Sequence, residues 1–162
     1  LQSALTGHPV LATLHTTDAA GAIPRLLDMG AEPFLVAAVL NGVAAQRLVR
    51  RLCPHCRKPA KVPVDILTAM AAQGIEAEEV CEATGCEHCR ETGYHGRTVV
   101  AELLTVTEEI RALIRSEPDT DRIRAAALEG GMRPMHVDGL AKAARGETSL
   151  DEVIRAVGRI PA

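Results

Sequence analysis

The sequence predicts an α/β fold. Three observations carry this: short β-branched apolar runs bounded by turn residues, a long tail whose apolar residues recur at helical spacing, and Phe34 and Tyr94 as the only aromatics. A core without aromatics must be aliphatic and alanine-rich, which favours close-packed helices and a small sheet. The 162 residues, 47% hydrophobic and 24% charged, allow one ordinary domain or two small ones and exclude wholesale disorder. A net charge of -3 and no row of aromatics argue against nucleic-acid binding. No apolar run reaches roughly 18 residues, so none reads as a membrane span. The opening Leu1-Gln2-Ser3 carries no basic n-region, which reads as no signal peptide and as a fragment or a processed start.

The elements follow in order. Residues 2–7 read as a helix end stopped by Gly7, and Pro9 to Leu14 as a short buried strand. Thr17 or Asp18 can cap a helix through Met29, closed by Gly30. Ala31 to Leu40 reads as a second helix with Pro33 in its first turn, and Val43 to Leu52 as a strand. Residues 53–93 are rich in Cys, His, Gly and Pro and show apolar periodicity only at 63–73. Arg97 to Val106 is the strongest strand candidate. Helices then start at Thr107, Asp119 and Pro134. The last opens with Ser149-Leu-Asp-Glu152, a capping box in which each side chain would satisfy the other's backbone N–H.

The most specific signal is a pair of knuckles, Cys53-Pro-His-Cys56 and Cys86-Glu-His-Cys89, with 29 residues between them. Two residues between cysteines let both thiolates reach one ion from a tight turn. Two such pairs complete a closed tetrahedral site suited to structural Zn(II), with no open position for substrate. Metal binding there could supply roughly 10–16 kcal/mol of apparent folding free energy. The segment needs it if it holds too few apolar residues to fold alone. Five cysteines, an odd number, without a secretion signal suit a reducing compartment. Reduced thiols or two disulfides are the bland alternatives. Cys81 reads as a small buried hydrophobe, and His55 and His88 as weak replacement ligands.

His15, Thr16 and Asp18 fall at the carboxyl end of the first strand candidate, directly before a helix, where open α/β sheets bind ligands. In a nucleotide hydrolase a residue there can sense the terminal phosphate or orient water, although a histidine at a strand end is often merely structural. The sequence contains no G-x-x-x-x-G-K-[ST] and no strand ending in an acidic pair for Mg(II), so it is not expected to cradle a triphosphate alone. Arg47, Arg50, Arg51 and Arg57 form a solvated face or a partner contact, with Glu76, Glu78, Glu79 and Glu82 as candidate counter-charges.

These residues resemble a known family. Leu5-Thr-Gly-His-Pro-Val-Leu-Ala-Thr-Leu-His-Thr-Thr-Asp-Ala19 looks like the histidine box of the secretion ATPases that drive type II secretion and type IV pilus assembly. Ala45-Gln-Arg-Leu-Val-Arg-Arg-Leu-Cys-Pro-His-Cys56 resembles the entry to their zinc module. Gly85-Cys-Glu-His-Cys89, Thr92-Gly-Tyr-His-Gly-Arg97 and Glu102-Leu-Leu104 resemble its exit. Gly131-Met-Arg-Pro-Met135, Asp138-Gly139 and Gly146-Glu-Thr-Ser149 resemble their C-terminal helices. The match covers essentially the whole chain in order. Thr17 stands where the family often has Asn, and Val99 or Val100 where it often has Gly. The four-cysteine set separates the chain from the retraction-motor branch.

The resemblance implies the C-terminal part of a RecA-like ATPase core with an inserted tetracysteine zinc module and a helical C-terminal subdomain. In that scheme residues 1–52 belong to the core with the histidine box, 53–93 to the zinc module, 94–106 to a return strand and 107–162 to the helical subdomain. It implies a cytoplasmic homo-hexamer, peripheral to the bacterial inner membrane, that uses ATP and Mg(II) as the full-length protein and works with inner-membrane platform proteins. The family's roles carry over to His15, the better candidate beside the terminal phosphate, and to His8, which would fix the loop. Zn(II) would sit on Cys53, Cys56, Cys86 and Cys89. Two other readings stay open: an independent zinc-bearing module that binds protein or nucleic acid, and a metal enzyme built on His8, His15 and His136.

Overall fold

A computed structural model describes residues 1–77, 79–116, 118–158 and 160. It holds helices α1 (Gln2–Leu5), α2 (Ala22–Asp28), α3 (Pro33–Val39), α4 (Val64–Ala72), α5 (Glu108–Ser116), α6 (Thr120–Glu129), α7 (Met135–Ala144) and α8 (Leu150–Val157). Its strands are β1 (Gly42–Leu52), β2 (Lys58–Lys61), β3 (Glu79–Glu82) and β4 (Tyr94–Thr105). The mixed α/β character is as expected. β1 pairs with β4, and β2 pairs antiparallel with β3, Lys58 opposite Glu82 and Lys61 opposite Glu79. The chain divides into two units, residues 1–45 with 102–133 and residues 46–101 with 134–162.

In the first unit α3 packs on α5 and α5 on α6. The core is aliphatic: Ile23, Val36, Leu104, Ile110, Ile114 and Ile123 are fully buried. The helix starts follow their caps. Thr107 Oγ1 accepts the Ile110 N–H at 3.3 Å, and Asp119 Oδ1 accepts those of Asp121 and Arg122 at 3.0 Å each, filling donors that the first turn leaves open. The Val106 N–H donates to the Asn41 carbonyl at 3.0 Å, closing the end of the β1–β4 pairing in this unit.

Two expectations fail here. Pro9 to Leu14 forms no strand: it runs without regular structure, and Leu11 is 101% exposed. An apolar run becomes a strand only with a partner to take its backbone hydrogen bonds, and among the described residues it has none. Helix α2 begins at Ala22 rather than at Thr17 or Asp18. Asp18 caps a turn instead, accepting the Gly21 N–H at 2.8 Å, and the chain needs residues 18–21 to bury Ala19 and Ala20 before the helix starts.

In the second unit α7 packs on α8, α4 and β3. Val62, Ile66, Ala69, Met70 and Val80 share one core cluster with Leu140, Ala143, Leu150 and Val153. The 53–93 segment is therefore not without apolar packing, as its composition suggests. Its few apolar residues bury against α7 and α8, which lie more than 50 residues further along the chain. Gly139 sits inside α7 because an added Cβ would come within 2.6 Å of Val153 Cγ1.

The capping box forms by half. Ser149 Oγ accepts the Glu152 N–H at 3.2 Å, but the Glu152 carboxylate turns away from the helix start. It accepts the Arg50 N–H at 2.9 Å, the Arg50 guanidinium at 2.6 Å and the Arg155 guanidinium at 2.8 Å. The carboxylate is 1% exposed. The Arg155 hydrogen bonds, helped by those from Arg50 and opposed by burial, hold it well below the usual carboxylate range. The guanidinium of Arg50 also lies 3.9 Å over the Tyr94 ring, whose hydroxyl meets Ser149 Oγ at 2.8 Å.

Gly139→Ala is expected to cost about 1–3 kcal/mol in urea unfolding. Combining it with Val153→Ala should give less than the summed loss, and strict additivity would dismiss the close approach as the cause. Glu152 has a lower pKa folded than unfolded, so its stabilisation is complete above roughly pH 4.5 and is lost as pH falls toward the folded value. Glu152→Gln should cost about 1–3 kcal/mol at pH 7, a figure kept low by the half-exposed arginines, and should flatten the acid limb of stability below pH ~4.5. Parallel acid limbs in the two proteins would contradict this.

Candidate metal centre and histidine loop

Cys53 ends at the C-terminal side of β1, where its N–H donates to the Gly93 carbonyl at 2.9 Å, just ahead of β4. The first knuckle is a tight turn: the Cys56 and Arg57 N–H groups both return to the Cys53 carbonyl, at 3.4 and 3.1 Å. The second is a single 3-10 turn over Glu87–Cys89, with the Cys89 and Glu91 N–H groups on the Cys86 carbonyl at 3.0 and 2.9 Å. Arg90 and Glu91 both take positive φ, 54° and 59°, a conformation that non-glycine residues adopt at a cost. Gly93 (φ 75°) passes so close to Ala83 that a Cβ would lie 2.5 Å from the alanine's own. Thr84 Oγ1 donates to the Cys56 carbonyl and ties the knuckles together.

This folding brings the four sulfurs of Cys53, Cys56, Cys86 and Cys89 within 4.8 Å of one another. Cys53 to Cys86 is 3.9 Å, Cys56 to Cys89 3.8 Å and Cys86 to Cys89 3.7 Å. A tetrahedron with Zn–S bonds of about 2.3 Å has edges of roughly 3.8 Å, whereas a disulfide needs about 2 Å. All five cysteines are free thiols. The donor set and its spacing therefore fit one thiophilic ion in a closed site. Backbone N–H groups of Cys86 and Gly93 aim at Cys89 Sγ from 3.2 and 3.1 Å. Burial raises the Cys89 thiol, but these N–H donors together with hydrogen bonds from the Cys86 and Cys56 thiols lower it to about 6. Burial pushes the neighbouring Cys86 thiol up to about 11.

The remaining expectations sort around this cluster. His55 and His88 stand outside it and stack on each other, ring centres 4.3 Å apart. Cys81 is half-buried rather than buried, and its Sγ lies beside Gly146. Arg50 pairs with Glu152 instead of the glutamates at 76–82, and Arg57 donates to the Gly146 carbonyl at 2.6 Å. Glu78 lies outside the described residues. Among the described residues, the four cysteines are the only group of three or more His, Cys, Asp or Glu side chains that converges.

His8 and His15 lie in the first unit, on the irregular stretch after α1, and both are exposed. His8 Nδ1 sits 3.0 Å from Thr6 Oγ1. The turn after His15 is held from several sides. Thr16 Oγ1 donates to the Asp18 carbonyl at 3.1 Å, Asp18 Oδ2 accepts Arg124 at 2.8 Å, and Glu102 Oε1 accepts the Ala19 N–H at 2.8 Å. Sequence reasoning missed Glu102 and Arg124 as partners of this turn. They are 83 and 106 positions from the residues they hold, and no local pattern marks such a contact.

The family described as Type II/IV secretion system protein matches residues 1–155. The type II secretion system protein HxcR of Pseudomonas aeruginosa is 46% identical over 155 residues, covering 96% of this chain and 29% of that protein. The type IV pilus assembly ATPase TfpB of Acinetobacter baylyi is 42% identical over 159 residues, covering 97% and 27%. The type IV pilus assembly ATPase PilB of Thermus thermophilus is 45% identical over 155 residues, covering 94% and 17%. The chain thus spans less than a third of the length of the curated relatives it matches.

The purified chain is expected to carry about one zinc ion, and chelator treatment to lower its melting temperature. Cys89→Ser should lose the metal. Less than about half an equivalent of zinc, with unchanged thermal stability after chelation, would rule out a structural four-sulfur site.

Proposed function

The chain belongs to the Type II/IV secretion system protein family, and on that premise we propose that it is the C-terminal portion of a hexameric ATPase that powers type II protein secretion or type IV pilus assembly. The observation that carries this reading is the match to named pilus assembly ATPases along 94–97% of the chain. In this reading residues 1–52 and 94–106 belong to a RecA-like core, 53–93 form a zinc module and 107–162 a helical subdomain. The phosphate-binding loop and the acidic Mg(II) motif come from elsewhere in the full-length protein, since the sequence here contains neither. The assembly works at the cytoplasmic face of the inner membrane with platform proteins. No helix among the described residues is long and apolar enough to cross a membrane.

His15 is the residue we assign to the neighbourhood of the terminal phosphate, where an imidazole can orient water or donate a hydrogen bond to developing charge. His8 holds the preceding loop. Zn(II), when bound, cross-links the two knuckles and supplies no catalysis, because four thiolates leave it no open position. In the full-length enzyme His15→Ala should lower kcat roughly 100-fold with an unchanged melting temperature. Parallel losses of turnover and stability would favour a structural histidine. The chain alone should not hydrolyse ATP, and turnover that survives removal of contaminating ATPases would overturn the reading.

A further inference from the structure

We propose that Arg124 and Glu102 are positioning residues for His15: together they clamp the turn at residues 16–21 and so tie the histidine loop to helix α6 and strand β4. This rests on the assignment of His15 to the nucleotide site.

The turn is fixed through three of its own groups. The Asp18 carboxylate is shared: one oxygen accepts the Gly21 N–H at 2.8 Å and the other accepts the Arg124 guanidinium at 2.8 Å. The Ala19 N–H, next along, is taken by Glu102 Oε1 at 2.8 Å. Thr16 Oγ1 closes the near side on the Asp18 carbonyl. Ala19 and Ala20 are almost fully inaccessible, so the far end of the turn is packed. His15 stands at the other end, exposed and next to Thr16. No hydrogen bond or ion pair reaches the His15 ring among the described residues, so its placement is inherited from the turn it precedes.

The clamp is built for charge and geometry together. Arg124 spends its second nitrogen on Asp121, one helical turn back, at 2.6 Å, which orients the guanidinium toward Asp18. Gly21 leaves room for the carboxylate: a Cβ there would lie 3.1 Å from Asp18 Oδ1. Arg124 projects from α6, whose Ile123, Ala126 and Ala127 are buried, so the anchor side of the pair is rigid. A small misplacement of a group beside reacting atoms can lower turnover by orders of magnitude, which gives a clamp of this kind kinetic leverage.

The test uses the full-length enzyme. Arg124→Ala and the milder Asp18→Asn and Glu102→Gln are compared with His15→Ala in four readouts: kcat, KM for ATP, melting temperature and amide hydrogen exchange of residues 15–21. Arg124→Ala should speed exchange across the turn and lower kcat roughly 10- to 100-fold, with KM changed less than about twofold. Unchanged exchange in all three clamp variants overturns the proposal. So does unchanged kcat in the clamp variants where His15→Ala lowers it. If His15→Ala itself leaves kcat intact, the assignment of His15 to the nucleotide fails, and the exchange data alone decide whether the clamp exists.

Discussion

Four sulfurs converging on one tetrahedral volume are the constraint on which the second unit is organised. Cys53 leaves β1 and Cys89 precedes β4, so the cluster joins the two ends of a long excursion where the strands begin to pair. Closing that loop by side chains alone would ask two reactive turns to stay together against their own desolvation. The chain also accepts unfavourable backbone there, with Arg90 and Glu91 both left-handed. Such geometry persists where surrounding bonds over-determine it, and a common ion would provide that.

The excursion is held at its other side by ordinary burial. Met70, Ile66 and Val80 meet Leu140, Ala143 and Val153 in one cluster. The β2–β3 pair, Lys58–Lys61 with Glu79–Glu82, places lysine opposite glutamate at both ends, an arrangement that favours this register.

Two carboxylates, the buried Glu152 and the partly exposed Asp18, each join segments far apart in the chain. Glu152 gathers Arg50 and Arg155 beneath α8, and Asp18 joins Arg124 beside the histidine loop. In both, a carboxylate accepts a backbone N–H as well as a guanidinium. That combination orients the acid and resists swapping partners, which a surface ion pair does not.

Local chemistry was legible in the sequence. The caps at Thr107, Asp119 and Ser149, the helix over Val64–Ala72 and the strand that becomes β4 all follow from residues adjacent to the elements they define. The convergence of the four cysteines was legible too, because C-x2-C spacing encodes a turn and two turns encode four donors. What the sequence could not decide was anything that depends on a distant partner. Pro9 to Leu14 has strand composition and, among the described residues, no strand to pair with, and Glu152 has a capping-box position but finds two arginines. Glu102 and Arg124 carry no signal of the turn they hold. Periodicity and capping are properties of neighbours in the chain, whereas strand pairing and buried ion pairs exist only once the fold brings remote residues together.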